Sequence, residues 1–299
     1  MENSISNQGG GRLQDTGNLI EIVRNTFNKE GRNTGDVDYC DVCKEVNRVW
    51  VWSDYFGVAL PEHRECKCER EKADLEKKAQ ANKLFTNAFR LSCTPGKMDT
   101  FTFENWVGNA DLLSFGMSYC GDFGGIGGFQ QKGVGAVLGG NCGTGKTYVS
   151  NCIVAKLCSM AKRPVFVGHK ELLDRIRSTF DEKGESQNAI TRALVDSDIV
   201  ILDDLGAYKM SEWAENTTAE LIDSLYRNET PIIATTNLSL DSLKKYLDGK
   251  SNAHRTSGRL IERCPYLWIE GDDMRAEKTK QTREMMKKSE ASVVCVTRG

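Results

Sequence analysis

Short apolar runs alternate with helically spaced apolar positions over the last two thirds of the chain. Uninterrupted apolar runs predict strands that are buried on both faces, as in a parallel sheet. Recurrences at i, i+3, i+4 and i+7 predict helices between these strands. The alternation predicts an α/β fold in which a central parallel five-stranded sheet lies between helices. The predicted strands are 136–139, 164–167, 199–202, 231–237 and 266–269, and the predicted helices include 110–117, 170–180, 189–194, 213–227 and 240–247.

The first third of the chain has a different pattern. Residues 1–16 are polar and are predicted to be disordered. Apolar residues between Leu19 and Phe27 then predict one short amphipathic helix that ends near Gly31. Farther on, a highly charged stretch is followed by helically spaced apolar residues, which predict a linker helix whose second half packs on another element. Those apolar residues are Ala81, Leu84, Phe85 and Ala88.

Two pairs of cysteines stand between these two predicted helices. Cys40 and Cys43 form a C-x2-C pair, and Cys66 and Cys68 form a C-x-C pair after a spacer of twenty-two residues. This arrangement predicts a tetrahedral zinc site of four thiolates, which would be structural because no position is left open for water. The alternative is four free cysteines on a loop. His63 lies near the second pair and is interpreted as a surface residue.

The segment from residue 140 to residue 147 satisfies the phosphate-loop pattern G-x-x-x-x-G-K-[ST]. It follows a predicted strand and precedes apolar residues at helical spacing, which is the context that the pattern requires. Glycines let backbone N–H groups turn toward phosphate oxygens, and the helix contributes its positive N-terminus. The sequence therefore predicts a site for a nucleoside triphosphate; the alternative is a glycine-rich turn with a solvated lysine. The candidate residues are Gly140, Asn141, Cys142, Gly143, Thr144, Gly145, Lys146 and Thr147.

Polar side chains at the ends of two further strands extend this site. Lys146 is expected to reach the β- and γ-phosphates, while Thr147 and Asp203 are expected to hold magnesium. Asp204 is the candidate general base for the attacking water. Asn237 follows the next strand and is a candidate contact to the γ-phosphate or the water. An ordinary strand-to-loop turn is the alternative for the two aspartates, and a helix N-cap segment is the alternative for Asn237.

The glycine-rich segment 121–128 also resembles a nucleotide loop at first sight. It has no lysine and follows no predicted strand, so a flexible connection is the favoured interpretation. The whole pattern divides the chain into a flexible N-terminus with one short helix (1–36), a zinc-binding module (37–70), a linker helix (71–97), an ATPase domain (98–275) and a basic tail (276–299).

Composition excludes several classes of protein. The chain of 299 residues has 40 basic and 42 acidic residues, so no global positive field indicates nucleic-acid binding. No apolar run is long enough to span a membrane. The polar N-terminus resembles neither a signal peptide nor a transit peptide. The eleven cysteines form one cluster and scattered single residues, which favours a reducing cytoplasm over a secreted disulfide framework.

Several of these motifs together resemble one family. The segments 138–147, 201–207 and 233–238, with the arginines at 255, 259 and 275, look like the AAA+ ATPase of DnaC/DnaI-type replicative helicase loaders, in the bacterial or phage branch that carries an N-terminal zinc module. The resemblance covers about residues 98–275, and the cysteine pairs extend it to residue 40.

This resemblance implies further roles for individual residues. Asn237 matches sensor 1, Arg259 matches an arginine finger that acts on the nucleotide of a neighbouring subunit, and Arg255 resembles its companion arginine. Arg275 falls at the sensor 2 position. A finger acting in trans implies a homo-oligomer. Asp204 stands where many AAA+ proteins carry glutamate, which predicts slow hydrolysis that an oligomer or DNA would stimulate. Taken without the resemblance, the three arginines are solvated helix residues.

The resemblance implies a helicase loader that depends on ATP, magnesium and structural zinc. Such a protein would bind a hexameric replicative helicase through its N-terminal region and touch single-stranded DNA, with basic side chains such as Lys170, Arg175 and Arg177 supplying phosphate contacts. One alternative is an IstB-like transposition ATPase, a group that is not expected to carry a cysteine module. Another is a nucleotide-gated adaptor with little turnover.

Overall fold

Two compact units make up the protein. The computed structural model describes residues 13–28, 33–91, 98–180, 186–249 and 255–275, together with Glu284 and Met286. The two units meet in sequence between Lys77 and Lys78. Most of the predicted disordered N-terminus and most of the predicted basic tail lie outside the described residues. In the part that is described, no helix is both long enough and apolar enough to cross a membrane.

The first unit contains a small antiparallel sheet. Its three strands pair in the order β1-β2-β3. The ring of Phe27, on the helix that precedes the sheet, meets Trp50 edge-on with centroids 5.9 Å apart. That helix begins at residue 13, so it includes four residues that the sequence pattern assigned to the disordered N-terminus. The elements are α1 (Leu13–Asn28), β1 (Val37–Tyr39), β2 (Val46–Ser53) and β3 (Val58–His63).

A helix of 22 residues, α2 (Lys67–Ala88), begins in the first unit and ends in the second. It starts at Lys67, before the predicted linker helix, so that Cys68 lies in its first turn. A side-chain oxygen of Glu69 accepts a hydrogen bond from the Cys66 backbone N–H at 3.1 Å, which satisfies one N–H group at the start of this helix. Its last turns bury Ala81, Phe85 and Ala88, as the apolar spacing predicts, and Phe85 and Ala88 belong to a core of the second unit.

The second unit is built on the predicted parallel sheet. Its strands pair in the order β5-β6-β7-β4-β8, and every neighbouring pair is parallel. The first strand in sequence therefore lies inside the sheet, beside β7 and β8. Parallel strands place their carboxyl ends on one edge of the sheet, where ligands bind in this class of fold. The strands are β4 (Ala136–Gly140), β5 (Pro164–Gly168), β6 (Ile199–Asp203), β7 (Ile232–Thr236) and β8 (Tyr266–Ile269).

Helices cover both faces of this sheet. Alternate side chains of the strands enter two separate hydrophobic cores; Leu138 and Ile201 face one core, whereas Val137 and Val200 face the other. This burial on both faces explains why the strands are predominantly apolar. The helices are α3 (Ala110–Gly121), α4 (Phe129–Lys132), α5 (Lys146–Ser159), α6 (His169–Ser178), α7 (Gln187–Val195), α8 (Glu212–Arg227), α9 (Leu240–Asp248) and α10 (Arg255–Arg263), with a 3-10 turn at Met98–Thr100. The predicted α/β fold is confirmed.

Candidate nucleotide-binding site

The phosphate loop connects the carboxyl end of β4 to the start of α5. Gly140, Gly143 and Gly145 have φ angles of 149°, 80° and 94°, a region that side chains other than glycine rarely adopt. A Cβ atom at Gly145 would meet the ring of Trp106 at 2.7 Å, so the close packing of this ring also requires glycine. The loop therefore has the backbone that its sequence predicts. Cys142 is exposed at its tip.

Lys146 is held inside the loop. Its Nζ atom donates hydrogen bonds to the backbone carbonyl oxygens of Gly140 at 2.8 Å and Asn141 at 2.7 Å, and it lies 3.3 Å from the Thr144 hydroxyl. The residue is only 6% exposed. Burial lowers the pKa of the Lys146 ammonium group, and nearby Arg275 lowers it further, whereas Asp203 and Asp204 oppose this shift. A buried ammonium group that contacts only neutral oxygens is well suited to receive an anion.

Thr147 and Asp203 meet although they are 56 residues apart. The Thr147 hydroxyl donates to Asp203 at 3.0 Å from Oδ1 and 3.3 Å from Oδ2. Burial is the largest cause that raises the pKa of the Asp203 carboxyl, and the charge of Asp204 adds to it; hydrogen bonds from Thr235 and Thr147 act in the opposite direction. A hydroxyl and a carboxylate are the hard oxygen ligands that magnesium prefers. The side chains present therefore fit the metal that the sequence analysis assigned to them.

Three further candidate residues, Asp204, Asn237 and Arg275, reach the site from different parts of the chain. Asp204 and Asn237 are exposed at the same edge of the sheet, where β6 and β7 end. Arg275 is brought to the loop because the backbone N–H of its neighbour Met274 donates to the Gly143 carbonyl oxygen at 3.1 Å. Asp204 has a φ angle of 55°, which is unusual for a residue other than glycine.

Arg259 is not brought to the phosphate loop of its own chain. It contacts the carboxylate of Asp223 on α8, and its guanidinium carbon lies 5.7 Å from the centroid of the Tyr226 ring. The helix α10 ends at the amino edge of the sheet, where the Arg263 carbonyl oxygen accepts from the Gly135 N–H at 3.0 Å. The phosphate loop begins at the opposite edge of the sheet, where the carboxyl ends of the strands lie. Arg255, the first residue of α10, is exposed.

Three contacts at this site were missed by sequence reasoning. The Trp106 ring packs on Gly145, the Asp273 side chain packs on Gly143, and the Thr235 hydroxyl lies 2.6 Å from Asp203 Oδ1. The sequence places Thr235 only within a predicted strand, and it gives Trp106 no role in the site. No sequence pattern joins them to the loop, because their contacts depend on how the strands pair and where the last segment returns.

The four cysteines of the first unit form one cluster. Their sulfur atoms all lie within 4.8 Å of one another. Backbone hydrogen bonds, first at Cys68 and then at Glu45, lower the pKa of Cys43 to about 6, whereas the thiols of Cys66 and Cys40 raise the pKa of Cys68. Zinc–sulfur bonds of about 2.3 Å place the sulfur atoms of a tetrahedral site at comparable separations. The cluster fits zinc, and His63, whose side chain is 57% exposed, lies 3.4 Å from Glu69.

Comparison with known proteins supports the same interpretation. The model of the family described as "IstB-like ATP binding protein" matches residues 128–282, which is just over half of the chain. The chain is also 23% identical over 180 residues to the replicative helicase loader DnaC of Escherichia coli strain K12, covering 58% of this chain and 70% of that protein. These matches confirm the resemblance to helicase loaders that the motifs predict.

The solved structure of DnaI shows the same fold. The crystal structure of DnaI covers 60% of this chain and 94% of that chain, with a TM-score of 0.50 and 19% identity. The crystal structure of the DnaC helicase loader covers 58% of this chain and 98% of that chain, with a TM-score of 0.49 and 21% identity. The sheet, the loop and the family match lead to one conclusion: this chain belongs to the family of IstB-like ATP binding proteins.

Proposed function

We propose that this chain is an ATPase that helps load a hexameric replicative helicase onto single-stranded DNA. In this proposal the N-terminal region binds the helicase, and ATP binding and hydrolysis control assembly and release. The observation that carries the proposal is the meeting of Lys146, Thr147 and Asp203 at the carboxyl edge of the sheet. The relative named as a helicase loader supports the choice of partner. A cytoplasmic location follows from this role.

The side chains at the sheet edge have distinct roles in the proposed reaction. Lys146 leaves its carbonyl partners to neutralise the β- and γ-phosphates, while the Thr147 hydroxyl and Asp203 hold magnesium. Magnesium supplies charge neutralisation at the phosphate oxygens. Asp204 accepts a proton from the attacking water, Asn237 orients that water, and Arg275 contacts the phosphates. Because aspartate is one methylene shorter than glutamate, we expect the turnover of a single subunit to be slow.

Arg259 acts in trans in this proposal. Its side chain is 24% exposed and contacts Asp223 in its own chain, far from the phosphate loop that the same chain carries. A neighbouring subunit therefore presents its own Arg259 to the nucleotide, and ATP links two copies of the chain. This arrangement requires a homo-oligomer, whose assembly ATP would favour and hydrolysis would reverse.

An exposed group of aromatic and basic side chains on the second unit is suited to single-stranded DNA. Phe180 is 64% exposed, its ring meets Trp213 edge-on, and the Arg177 guanidinium carbon lies 4.6 Å from the centroid of the Trp213 ring. Proteins that bind single strands combine basic residues with aromatic faces on which bases stack. Arg177 was already a candidate phosphate contact, whereas the two aromatic residues add a stacking surface. Lys170 pairs with Asp174, which weakens its assignment.

A loading experiment tests the proposal with the full metal-loaded chain. Purified replicative helicase, circular single-stranded DNA and ATP are mixed with the wild-type chain or with Lys146→Ala, and the helicase retained on DNA is counted. Lys156→Ala is the matched control, because Lys156 is exposed on the same helix, α5. We expect Lys156→Ala to load helicase like the wild type and Lys146→Ala to bind no ATP and load none. Wild-type-like loading or ATP binding by Lys146→Ala would contradict the proposal.

An IstB-like transposition helper is the second candidate function. The description of the matching family favours it, and that match begins at residue 128, after the cysteine cluster. Such a protein would hand target DNA to a transposase and would not retain a replicative helicase. Strand-transfer assays and helicase retention therefore separate the two candidates. Single-turnover ATP hydrolysis, with and without single-stranded DNA, separates both from an adaptor with little turnover.

A further inference from the structure

Thr235 lies at the centre of the proposed ATPase site, two residues before the sensor 1 candidate Asn237, and it has no role among those assigned above. It is on β7, which pairs with β6 on one side and with β4 on the other. The register places Thr235 opposite Leu138, two residues before the start of the phosphate loop. Its side chain faces the carboxylate at the end of β6 and is only 1% exposed. The residue therefore joins the strand of the loop to the strand of the two aspartates.

The Thr235 hydroxyl makes two hydrogen bonds of opposite sense. It donates to Asp203 Oδ1 at 2.6 Å and accepts from the backbone N–H of Asp204 at 2.9 Å. The Thr235 carbonyl oxygen also accepts from the Leu205 N–H at 2.8 Å. One residue thus contacts three consecutive positions of the segment that carries the metal ligand and the candidate base.

These contacts stabilise the backbone conformation of Asp204 and the orientation of the Asp203 carboxylate. Asp204 has a φ angle of 55°, a left-handed conformation that costs free energy for a residue with a Cβ atom and persists only when neighbouring groups hold it. The Asp203 carboxylate also accepts a hydrogen bond from the Thr147 hydroxyl. Two hydroxyl donors, Thr147 and Thr235, therefore orient this carboxylate. Thr147 would itself be a magnesium ligand, and the bond from Thr235 would then be the hydroxyl contact that continues to orient Asp203.

We propose that Thr235 is a positioning residue that orients the Asp203 carboxylate for magnesium and holds the Asp204 backbone for hydrolysis. The inference rests on the proposed ATPase function and deepens it. Residues that orient a metal ligand typically contribute about 10- to 100-fold to metal affinity or activity. A buried threonine that served packing alone would contribute to stability and leave the magnesium dependence unchanged.

The next residue on the strand is a matched control. Thr236 is fully buried, its hydroxyl donates to the Leu205 carbonyl oxygen at 2.6 Å, and it accepts from the Leu238 N–H at 3.1 Å. It therefore resembles Thr235 in burial and in number of hydrogen bonds, but those bonds reach backbone groups alone. Successive strand residues face opposite sides of the sheet, so a change at Thr236 leaves the Asp203 contact in place.

The test compares Thr235→Val, Thr235→Ser and Thr236→Val in the full metal-loaded chain. Three quantities are measured: hydrogen exchange of the Asp204 amide, the ratio of ATP dissociation constants without and with added magnesium, and the single-turnover hydrolysis rate. For Thr235→Val we expect about tenfold faster exchange and about tenfold losses in the magnesium-dependent gain in affinity and in the rate. ATP affinity without magnesium stays within about twofold of wild type. Thr235→Ser and Thr236→Val stay within about threefold of wild type in the magnesium-dependent gain in affinity and in the hydrolysis rate.

Equal effects of Thr235→Val and Thr236→Val, or no rescue by serine, would overturn the proposal. Should the valine variant fold poorly, Thr235→Ala removes the same hydroxyl and is judged by the same criteria. Failure of the proposed function has a different signature: the wild type itself would show no hydrolysis. Exchange of the Asp204 amide and the magnesium dependence of ATP affinity would then still decide the role of Thr235.

Discussion

The two sheets of this protein are buried to very different extents. In the described part of the first unit, the buried apolar side chains are Trp50, Val58, Ala59 and Cys66. Strands β4, β6 and β7 of the second unit are buried along their whole length, and the sheet contributes side chains to two extensive cores. A domain of so few buried side chains is marginal by hydrophobic burial alone. We therefore expect the folding of the first unit to depend on a metal ion held by its four cysteines, and that of the second to depend on its apolar strands and helices.

Removal of metal should have the largest effect, and it should be confined to the first unit. Structural zinc contributes about 10–16 kcal/mol in small domains, so chelation is expected to unfold the three-stranded sheet. Hydrogen exchange of β2 and β3 should rise to that of an unfolded chain, while β4 and β7 remain protected. Cys66→Ser should act like the chelator, and Cys158→Ser, a buried cysteine of the second unit, should not. Loss of hydrogen-exchange protection in both units after chelation would contradict the expectation that only the first unit depends on metal.

A cavity in the second unit should have the next largest effect, independent of metal. Leu157 on α5 is fully buried, so Leu157→Ala should lower the free energy of unfolding of the second unit by about 2–5 kcal/mol. Denaturant unfolding with and without chelator measures this cost. Lys156→Ala, at the exposed neighbouring position, should change it by less than about 0.5 kcal/mol. A cost that varied with chelator would show that the units are not stabilised separately.

Acid should destabilise the second unit through a buried histidine. Burial lowers the pKa of His169 to about 4, below its ordinary value of about 6.5. The unfolded chain therefore takes up this proton first as pH falls, and stability should decline from about pH 6.5 toward pH 4 by about 3 kcal/mol. Denaturant unfolding of wild type and His169→Gln at several pH values isolates this contribution. If the free energy of unfolding fell equally with pH in the two proteins, His169 would not be the cause of the acid destabilisation.

Loss of a helix cap should have the smallest effect. The Ser211 side chain accepts from the Ala214 N–H at the start of α8. Ser211→Ala should lower the free energy of unfolding of the second unit by about 1 kcal/mol. The first unit should keep its hydrogen-exchange protection. A cost above about 3 kcal/mol would indicate that Ser211 does more than cap the helix.

Contiguous motifs explain what could be predicted from the sequence. The phosphate loop is specified by consecutive residues, and the predicted strands lie within two residues of the observed ones because burial on both faces leaves an unmistakable apolar run. The four cysteines were found through their spacing. Thr235 and Trp106 were missed because their contacts depend on strand register and on the return of a distant segment. Asp223, the partner of Arg259, was missed for the same reason.

The central claim is that the first unit captures a helicase while the second binds ATP. The most direct measurement immobilises the full chain, either with zinc or after a chelator has removed the zinc and been washed away. Retention of hexameric replicative helicase and of ATP is then recorded on the same sample in magnesium buffer. We predict that chelation abolishes helicase retention and leaves ATP retention unchanged, whereas Lys146→Ala loses ATP. Retention of the helicase by the chelated chain, or no retention by the metal-loaded chain, would contradict the account.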